Sequence, residues 1–127
     1  ASYVTLEAVS VLMRTAARAG TDSMLICAGR DKLFSLEDAA CAGRYVRAIA
    51  KRLTKVDMGD GAFAATVIDR KYGDRLDQLF ADSEAGQALA DAGFAADLEI
   101  CAAVDSCPVI PIFQDRQITL LGPDRER

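Results

Sequence analysis

The residues whose types and spacing could do chemistry lie in one short stretch of the chain, residues 27–38. Glu37 and Asp38 are adjacent carboxylates, and hard oxygen ligands of this kind hold Mg²⁺ beside a substrate phosphate. Arg30 and Lys32 precede them and supply positive charge that suits a phosphate or a sulfonate. Gly29 allows the backbone to approach a ligand closely. The stretch therefore predicts a site for a metal-bridged anion.

The same stretch also fits a purely structural role. Ser35 is a good helix N-cap, and Ser-x-x-Asp is a weaker form of the capping box. Acidic residues such as Glu37 and Asp38 are common in a first helical turn because they complement the helix dipole. The sequence has no Walker motif, no G-x-G-x-x-G and no Asp-x-Asp nucleophile, so both interpretations stay open.

The residue inventory excludes several classes of site. The chain has no His, which removes Ser-His-Asp and Cys-His catalysis and His-ligated zinc within this chain. None of its four cysteines forms Cys-x-x-Cys, which excludes zinc ribbons and thioredoxin motifs. Leu33 stands six residues after Cys27, where a tyrosine-phosphatase loop needs Arg. We expect all four cysteines to be reduced and structural, in a cytoplasmic protein.

Charge and hydropathy restrict the partners. The net charge of −4 argues against nucleic acid and against an anionic membrane surface, both of which favour basic faces. No apolar run approaches the ~20 residues that cross a membrane. With 127 residues and 51% apolar composition, the chain is expected to form one domain over residues 1–127.

The elements that must position the stretch follow from hydrophobic periodicity. Residues 6–19 have helical spacing and end before Gly20, and a second helix is predicted from Ser35 to Leu53. Between them, Met24 to Ala28 is an unbroken apolar run that predicts a strand buried on both faces. Helix, strand, loop and helix in this order predict an α/β domain, layered α/β/α with a mainly parallel or mixed sheet. Ligands bind at the carboxyl ends of strands in such sheets, which is where the stretch begins.

The rest of the chain is predicted to hold short helices and a C-terminal β-hairpin. Helices are expected over residues 62–72, 74–80, 83–93 and 97–104. Strands are expected over 109–113 and 117–121, joined by a turn at 114–116, with Pro111 at an edge or bulge. Residues 122–127 are expected to form a polar tail.

Other polar residues are weaker candidates for a functional role. Five basic residues share much of one surface of the second helix and predict a solvated face, with anion steering as the alternative; they are Arg44, Arg47, Lys51, Arg52 and Lys55. Asp105 could cap a helix or point into a site, and a structural role is favoured. Asp69 and Tyr72 are expected at the surface.

Several short motifs together resemble a known family. They are Cys27-Ala28-Gly29, Phe34-Ser35-Leu36-Glu37-Asp38, Ala42-Gly43, Ser83 with Gly86, Leu89 and Gly93, Asp97-Leu98 with Cys101 and Asp105, and the strand pair over residues 109–118. On these residues the sequence resembles the C-terminal half of the 2-phosphosulfolactate phosphatase family, which is named for a step of coenzyme M biosynthesis.

The resemblance implies a Mg²⁺-dependent acid phosphatase that converts 2-phospho-3-sulfolactate to 3-sulfolactate and phosphate. Glu37 and Asp38 match the family's acidic pair and would bind the metal or orient water. Gly29 and Ser35 match the loop and helix start and would hold the anion by backbone N–H and hydroxyl groups. Arg30, in the variable loop, would add charge for the small anionic substrate.

The sequence also departs from the family pattern. The motifs of the family's first half are absent, and Thr5 stands where the family tends to have Asn. The chain opens without Met directly into a helical pattern, so a separate N-terminal half, or a homo-oligomer, is expected to complete the protein. Two alternatives stay open, a non-catalytic anion-binding or structural module of that scaffold and a metal-dependent α/β anion-binding protein of other function.

Overall fold

The computed structural model describes residues 1–122 of the chain, so the predicted polar tail lies, except for Gly122, outside the described residues. A short 3₁₀ turn over Tyr3–Thr5 leads into six helices and two strands. The helices are α1 Leu6–Arg18, α2 Leu36–Ala50, α3 Asp60–Tyr72, α4 Leu76–Asp82, α5 Glu84–Asp91 and α6 Ala95–Cys101, and the strands are β1 Pro111–Gln114 and β2 Gln117–Leu120. Among these described residues, no helix is both long enough and apolar enough to cross a membrane.

The predicted helices are confirmed, with shifts of a few residues at their ends. Gly20 follows α1 with a φ of 84°, and Ser35 stands at the N-cap of α2. Ser83 caps α5 and is 1% exposed, and its Oγ accepts the Gly86 N–H at 3.0 Å. These starts and ends depend on local chemistry, because a side-chain oxygen or a glycine satisfies groups within three or four residues.

Two clusters of buried side chains form the core. One cluster joins the 3₁₀ turn, α2, α3 and α4, and contains Tyr3, Ala40, Tyr72, Leu76, Leu79 and Phe80. The other joins α1 to α2 and contains Leu6, Tyr45 and Ile49. Helix α2 contributes to both clusters, so the start of α2 is held on a packed element. Full burial of one Leu or Phe side chain stabilises the fold by about 1.5–3 kcal/mol.

Helices α2 and α3 cross closely, and Gly43 makes the approach possible. A Cβ atom at Gly43 would overlap the carbonyl oxygen of Ala65. Gly86 has the same role between α5 and α4, where a Cβ atom would overlap the carbonyl oxygen of Phe80. Both glycines belong to motifs that carry the family resemblance, and the structure gives each of them a packing role.

The predicted strand over residues 24–28 is wrong for the described part of the chain. These residues have no secondary structure, and the only sheet within residues 1–122 is the hairpin of β1 and β2. Burial on both faces is also wrong, since Met24 and Ile26 are exposed. A strand needs a neighbour to satisfy its backbone groups, and no described segment pairs with this one. The fold of residues 1–122 is thus α-rich with one hairpin, and it contains no parallel sheet and no α/β/α layers.

The C-terminal hairpin is confirmed. Strands β1 and β2 pair antiparallel, with Pro111 opposite Leu120 and Gln114 opposite Gln117. Asp115 and Arg116 form the two-residue turn, with φ values of 53° and 62°. Pro111 is the first residue of its strand, a position that proline tolerates because each strand of a two-stranded sheet is an edge.

Candidate functional site

The loop before α2 is a tight turn with an unusual backbone. The Arg30 N–H donates to the Leu33 carbonyl at 3.1 Å, and the Leu33 N–H donates to the Arg30 carbonyl at 2.8 Å. Asp31 and Lys32 between them have φ values of 51° and 64°. Gly29 also has a positive φ of 72°, and a Cβ atom there would lie 2.6 Å from the Leu33 carbonyl oxygen. Gly29 is therefore required by this turn.

Ser35 and Asp38 fasten this turn to the start of α2. The Ser35 Oγ accepts the Asp38 N–H at a long 3.4 Å, and Ser35 is 7% exposed. The Asp38 Oδ2 accepts the Gly29 N–H at 2.9 Å, across nine residues. The structure thus brings Gly29, Ser35 and Asp38 together by direct hydrogen bonds. The capping role that the sequence left open for Ser35 is confirmed.

Glu37 and Arg30 lie outside this hydrogen-bonded group. Adjacent residues of a helix project about 100° apart, so the carboxylates of Glu37 and Asp38 diverge. Within residues 1–122 the half-buried Glu37 takes part in no salt bridge and no side-chain hydrogen bond. The Arg30 side chain is half exposed, and its Nε lies 3.8 Å from Asp31 Oδ2. Of the two carboxylates, Asp38 thus accepts a hydrogen bond within residues 1–122, and Glu37 does not.

The described residues do not contain a full set of protein ligands for a metal ion. No group of three or more His, Cys, Asp or Glu side chains within residues 1–122 is placed to hold a metal ion. Magnesium is commonly held by one or two carboxylates, with water and substrate phosphate as its other ligands. Glu37, whose carboxylate has no partner among the described residues, fits that limited role. Asp38 fits it with one oxygen, because Oδ2 is engaged by Gly29.

The cysteines near the stretch are poor nucleophiles. Partial burial, with a smaller effect from the nearby Asp38 charge, raises the pKa of the Cys27 thiol. Burial raises the pKa of Cys41 to about 12. All four cysteines are free, as expected, but Cys27, Cys101 and Cys107 are exposed rather than part of the core. A protonated thiol is neither a nucleophile nor a metal ligand.

A buried ion pair network was missed at the sequence level. Asp69 is 1% exposed; its Oδ1 accepts a hydrogen bond from Arg44 Nε at 2.9 Å, and its Oδ2 pairs with Arg47. Arg44 also donates to the carbonyl oxygen of Gly73 at 2.6 Å. The expected surface position of Asp69 and of Tyr72, which is 5% exposed, is therefore wrong. The partners lie at least 22 residues apart in the chain, so local spacing carries no signal of the network.

The expected solvated basic face is confirmed only for the basic residues that follow the C-terminal end of α2. Lys51, Arg52 and Lys55 are exposed, whereas Arg44 and Arg47 are engaged by Asp69. A groove of about 810 Å³ opens beside these residues, and none of the residues 29–38 lines it. The groove is lined by Glu7, Arg14, Arg44, Arg47, Ala48, Ala50, Lys51, Arg52, Met58, Phe63, Thr66, Arg70, Gly73 and Asp74. Anion steering by this face stays a prediction.

Asp105 has the structural role that the sequence favoured. Its Oδ1 accepts the Glu7 N–H at 2.7 Å, in the first turn of α1, and its own N–H donates to the Tyr3 carbonyl at 3.1 Å. A carboxylate at this position satisfies a free N–H group and complements the helix dipole. Asp105 therefore holds the chain after α6 against the start of α1.

Thr5, which stands where the resemblance expects Asn, is also structural. It is 6% exposed, and its Oγ1 accepts the Ser2 N–H at 3.1 Å. The same Oγ1 lies 3.1 Å from the Tyr45 hydroxyl. The Tyr45 hydroxyl in turn donates to the Ser2 carbonyl at 2.6 Å. Thr5 thus links the first turn of the chain to α2.

Comparison with known proteins agrees with the resemblance. A profile of the family described as 2-phosphosulpholactate phosphatase matches residues 1–116. A "Probable 2-phosphosulfolactate phosphatase" of Symbiobacterium thermophilum is 35% identical over 108 residues, which are 85% of this chain and 46% of the relative. A protein of the same name from Thermotoga maritima is 34% identical over 111 residues, 87% of this chain and 45% of the relative.

A third protein of that name, from Thermosynechococcus vestitus, is 35% identical over 91 residues, 68% of this chain and 37% of the relative. The chain spans a little under half the length of the Symbiobacterium and Thermotoga relatives. The matches fall in the C-terminal part of the relatives.

Proposed function

The chain belongs to the 2-phosphosulfolactate phosphatase family, and on that premise we propose that the protein containing it hydrolyses a phosphate monoester of a small sulfonated hydroxy acid. The observation that carries the proposal is the family match over residues 1–116, which includes the whole of the stretch 27–38. The substrate we propose is 2-phospho-3-sulfolactate, which places the reaction in coenzyme M biosynthesis. We further propose a cytoplasmic location, where the four free cysteines stay reduced.

The active protein is, in this proposal, assembled from this chain and further polypeptide. The described residues supply two carboxylates at one helix start, and no larger group able to hold a metal ion. The remaining ligands would come from a part equivalent to the N-terminal half of the relatives, or from a second copy. The layered α/β/α arrangement would then form only in the assembled protein, because its sheet needs strands that residues 1–122 do not contain.

Mg²⁺, when bound, would neutralise phosphoryl oxygens and position water for in-line attack. Glu37 is the residue of this chain that we assign as metal ligand, since no group within residues 1–122 forms a salt bridge or side-chain hydrogen bond with its carboxylate. Asp38 also has a structural role, because its Oδ2 accepts a hydrogen bond from the Gly29 N–H at 2.9 Å and so stabilises the turn. Its remaining oxygen can face the metal or a water molecule.

The anion would meet the start of α2. The N–H groups of the first turn of this 15-residue helix point out of its N-terminus and favour negative charge. The Gly29 N–H is engaged by Asp38, so Gly29 contributes to binding through close approach of the backbone. Ser35 sets the helix start through its cap, and Arg30 on the turn supplies a cation for phosphate or sulfonate.

The second candidate function is a non-catalytic anion-binding or structural module. The observation that favours it is that Gly29, Ser35 and Asp38 satisfy one another through internal hydrogen bonds. A stretch that only shapes a turn would tolerate loss of the Glu37 charge. Activity measurements on variants separate the two functions.

The test uses the native protein, captured from its source with antibodies raised against this chain. Phosphate release from 2-phospho-3-sulfolactate is measured with Mg²⁺ and with EDTA, and the intact mass of the captured protein is recorded. We expect Mg²⁺-dependent release, and we expect Glu37→Gln with Asp38→Asn in the native gene to lower it by orders of magnitude. Full activity in the double variant would remove the site assignment.

Single variants separate the two carboxylates. Asp38→Asn keeps an oxygen that accepts the Gly29 N–H but loses the charge, whereas Asp38→Ala loses both. Activity retained in the Asn variant and lost in the Ala variant would assign Asp38 to the turn alone. The matched control is Glu84→Gln, because Glu84 is an acidic residue in the first turn of α5. It should leave phosphate release unchanged.

A further inference from the structure

The groove of about 810 Å³ beside the second half of α2, which we call the basic groove, is separate from the candidate site. None of the residues 27–38 lines it. A helix rises about 1.5 Å per residue, so Lys51 at the C-cap of α2 lies on the order of 20 Å from Asp38 in its first turn. A ligand in the basic groove would therefore not be a substrate held at the start of α2.

Two helix faces form walls of the basic groove. Three residues of α2 and three of α3 line it at the spacing i, i+3 and i+7, so each set lies on one face of its helix. They are Arg44, Arg47 and Lys51 beside Phe63, Thr66 and Arg70. The two helices touch where Gly43 meets the backbone of Ala65, and the groove lies beyond that contact, toward the end of α2. Both walls thus belong to packed helices and are formed before any ligand binds.

The basic groove concentrates positive charge in an acidic protein. The net charge of the chain is −4, yet six of the residues that line the groove are Arg or Lys and only two are acidic. Both acidic side chains are paired, Glu7 with Arg14 at 2.8 Å and Asp74 with Arg44 at 3.4 Å. Three exposed cations of the groove take part in no salt bridge within residues 1–122; they are Lys51, Arg52 and Arg70. The groove is therefore suited to an anion.

Arg47 is held in place and still has free donors. One of its terminal nitrogens, Nη1, donates to the buried carboxylate of Asp69, whose other oxygen accepts from Arg44. The Arg47 side chain is 40% exposed, and its Nε and Nη2 have no hydrogen-bond partner among the described residues. A guanidinium is a planar fork that matches the oxygens of a phosphate. Because Asp69 already orients this fork, little conformational freedom is lost when it binds an anion.

The basic groove also contains apolar surface, which indicates a ligand larger than a free phosphate. Phe63 is 60% exposed and Met58 is 39% exposed, and both line the groove beside the cations. The volume falls within the roughly 300–1,000 Å³ of pockets that hold organic ligands. An exposed aromatic ring next to cations is the combination on which a nucleobase stacks while its phosphates are bound.

We propose that the basic groove binds a nucleotide, with its phosphates at Arg47, Lys51 and Arg70 and its base against Phe63. A triphosphate matches these three cations better than a monophosphate, because charge-assisted hydrogen bonds strengthen with each added pair of opposite charges. The site needs neither Glu37 nor Asp38. It therefore does not depend on the proposed phosphatase function.

Complementing the helix dipoles is the alternative use of these charges. Arg47 lies in the last turn of α2 and Arg70 in the last turn of α3, where cations are favourable. Cations that serve only this purpose attract any anion according to its charge. They give no preference for an anion that carries a ring, and this preference is what distinguishes the two uses.

Binding of ATP to the native protein, measured by equilibrium dialysis in EDTA, is the first test. EDTA removes Mg²⁺, on which binding at residues 27–38 depends in the proposed function, so the signal comes from the basic groove. We expect ATP to bind on the order of 10-fold more tightly than inorganic tripolyphosphate, because only ATP has a base to stack on Phe63. Adenosine, which has the base without the phosphates, should bind more weakly than ATP by at least about 10-fold.

Paired charge variants in the native gene give the second test. Lys51→Gln with Arg70→Gln should weaken ATP binding by about 10-fold or more, because two phosphate contacts are lost. Lys55→Gln with Lys71→Gln removes the same charge from exposed side chains that do not line the groove, and it should change the affinity by less than about 2-fold. All four side chains are exposed, and circular dichroism checks that both variants keep their helices.

A ring variant gives the third test. Phe63→Ala should weaken ATP binding by about 10-fold and leave tripolyphosphate binding unchanged, because only the stacked base is lost. Phe94→Ala is the matched control, since Phe94 is also exposed and does not line the groove. It should leave both affinities unchanged.

Several outcomes would overturn the inference. They are absence of ATP binding in EDTA, tripolyphosphate binding as tight as that of ATP, and equal weakening in the two paired charge variants. Attachment of a photoactivated azido-ATP to residues 27–38 instead of the groove would do so as well. An oligonucleotide that binds more tightly than ATP would assign the groove to a nucleic-acid strand. ATP binding with these preferences in a native protein that lacks phosphatase activity would support the groove and contradict only the proposed function.

Discussion

Helix α4 and residues 22–28, which we call the unpaired segment because their backbone has no hydrogen-bond partner within residues 1–122, place similar aliphatic residues in opposite environments. Leu79 in α4 is fully buried, whereas Ile26 in the unpaired segment is 85% exposed. A helix satisfies its backbone within itself, so it can fold onto any apolar face that is available. A strand requires another strand before its burial is possible. Within residues 1–122 the helices therefore bury their apolar faces against one another, whereas Met24 and Ile26 stay exposed.

The largest expected effect concerns charge in the two regions. Asp69→Asn should destabilise the chain by about 3–5 kcal/mol, because it leaves Arg44 and Arg47 without their buried partner. Asp31→Asn, in the turn that follows residues 22–28, should change stability by less than about 1 kcal/mol. Among the described residues, Asp31 pairs only with Arg30, and this ion pair is long and exposed. Urea denaturation of both variants measures the difference. Equal effects would contradict the view that only the helices are internally complete.

The next effect concerns apolar burial. Leu79→Ala should cost about 2–5 kcal/mol through lost contacts and a residual cavity. Ile26→Ala should stay within about 0.5 kcal/mol in the chain alone, because the side chain has little burial to lose. Thermal denaturation of each variant is the measurement. A large loss for Ile26→Ala would mean that the unpaired segment packs on the helices in solution.

Backbone approach between helices gives a smaller effect. Gly43→Ala should destabilise the chain by about 1–3 kcal/mol, since the added methyl group meets the backbone of α3. The control is Gly61→Ala in α3, where a Cβ atom meets nothing within 4 Å. That change should stabilise the helix by about 0.5–1 kcal/mol. Opposite signs in urea denaturation would confirm that α2 and α3 are in direct contact.

The rate of thiol alkylation should differ between Cys41 in α2 and Cys27 in the unpaired segment. Cys41, with a pKa of about 12, should be alkylated by iodoacetamide at pH 8 at least ~10-fold more slowly than Cys27 in the unpaired segment. The rate at Cys41 should rise with pH, because the thiolate fraction grows until its pKa is reached. Mass spectrometry of peptides after timed alkylation gives both rates.

Much of the local structure could be predicted from sequence. Ser35 and Ser83 mark helix starts because a hydroxyl caps N–H groups within three residues. The turn at 114–116 and the hairpin around it depend on neighbours only a few positions away. The tight turn at Gly29 was expected as a loop. The sequence identifies the stretch 27–38, but nothing in its spacing predicts the hydrogen bond between the Gly29 N–H and the Asp38 carboxylate.

The sequence by itself determined the helix pattern, the caps, the hairpin, the absence of His chemistry and the family. Only the tertiary structure decided which polar residues are buried, because Arg44, Arg47 and Asp69 meet through the crossing of α2 and α3 at Gly43. The tertiary structure also decided that residues 24–28 are extended and unpaired within residues 1–122. Their apolar pattern predicts a strand, but a strand forms only with hydrogen bonds to another segment, and no segment within residues 1–122 pairs with them.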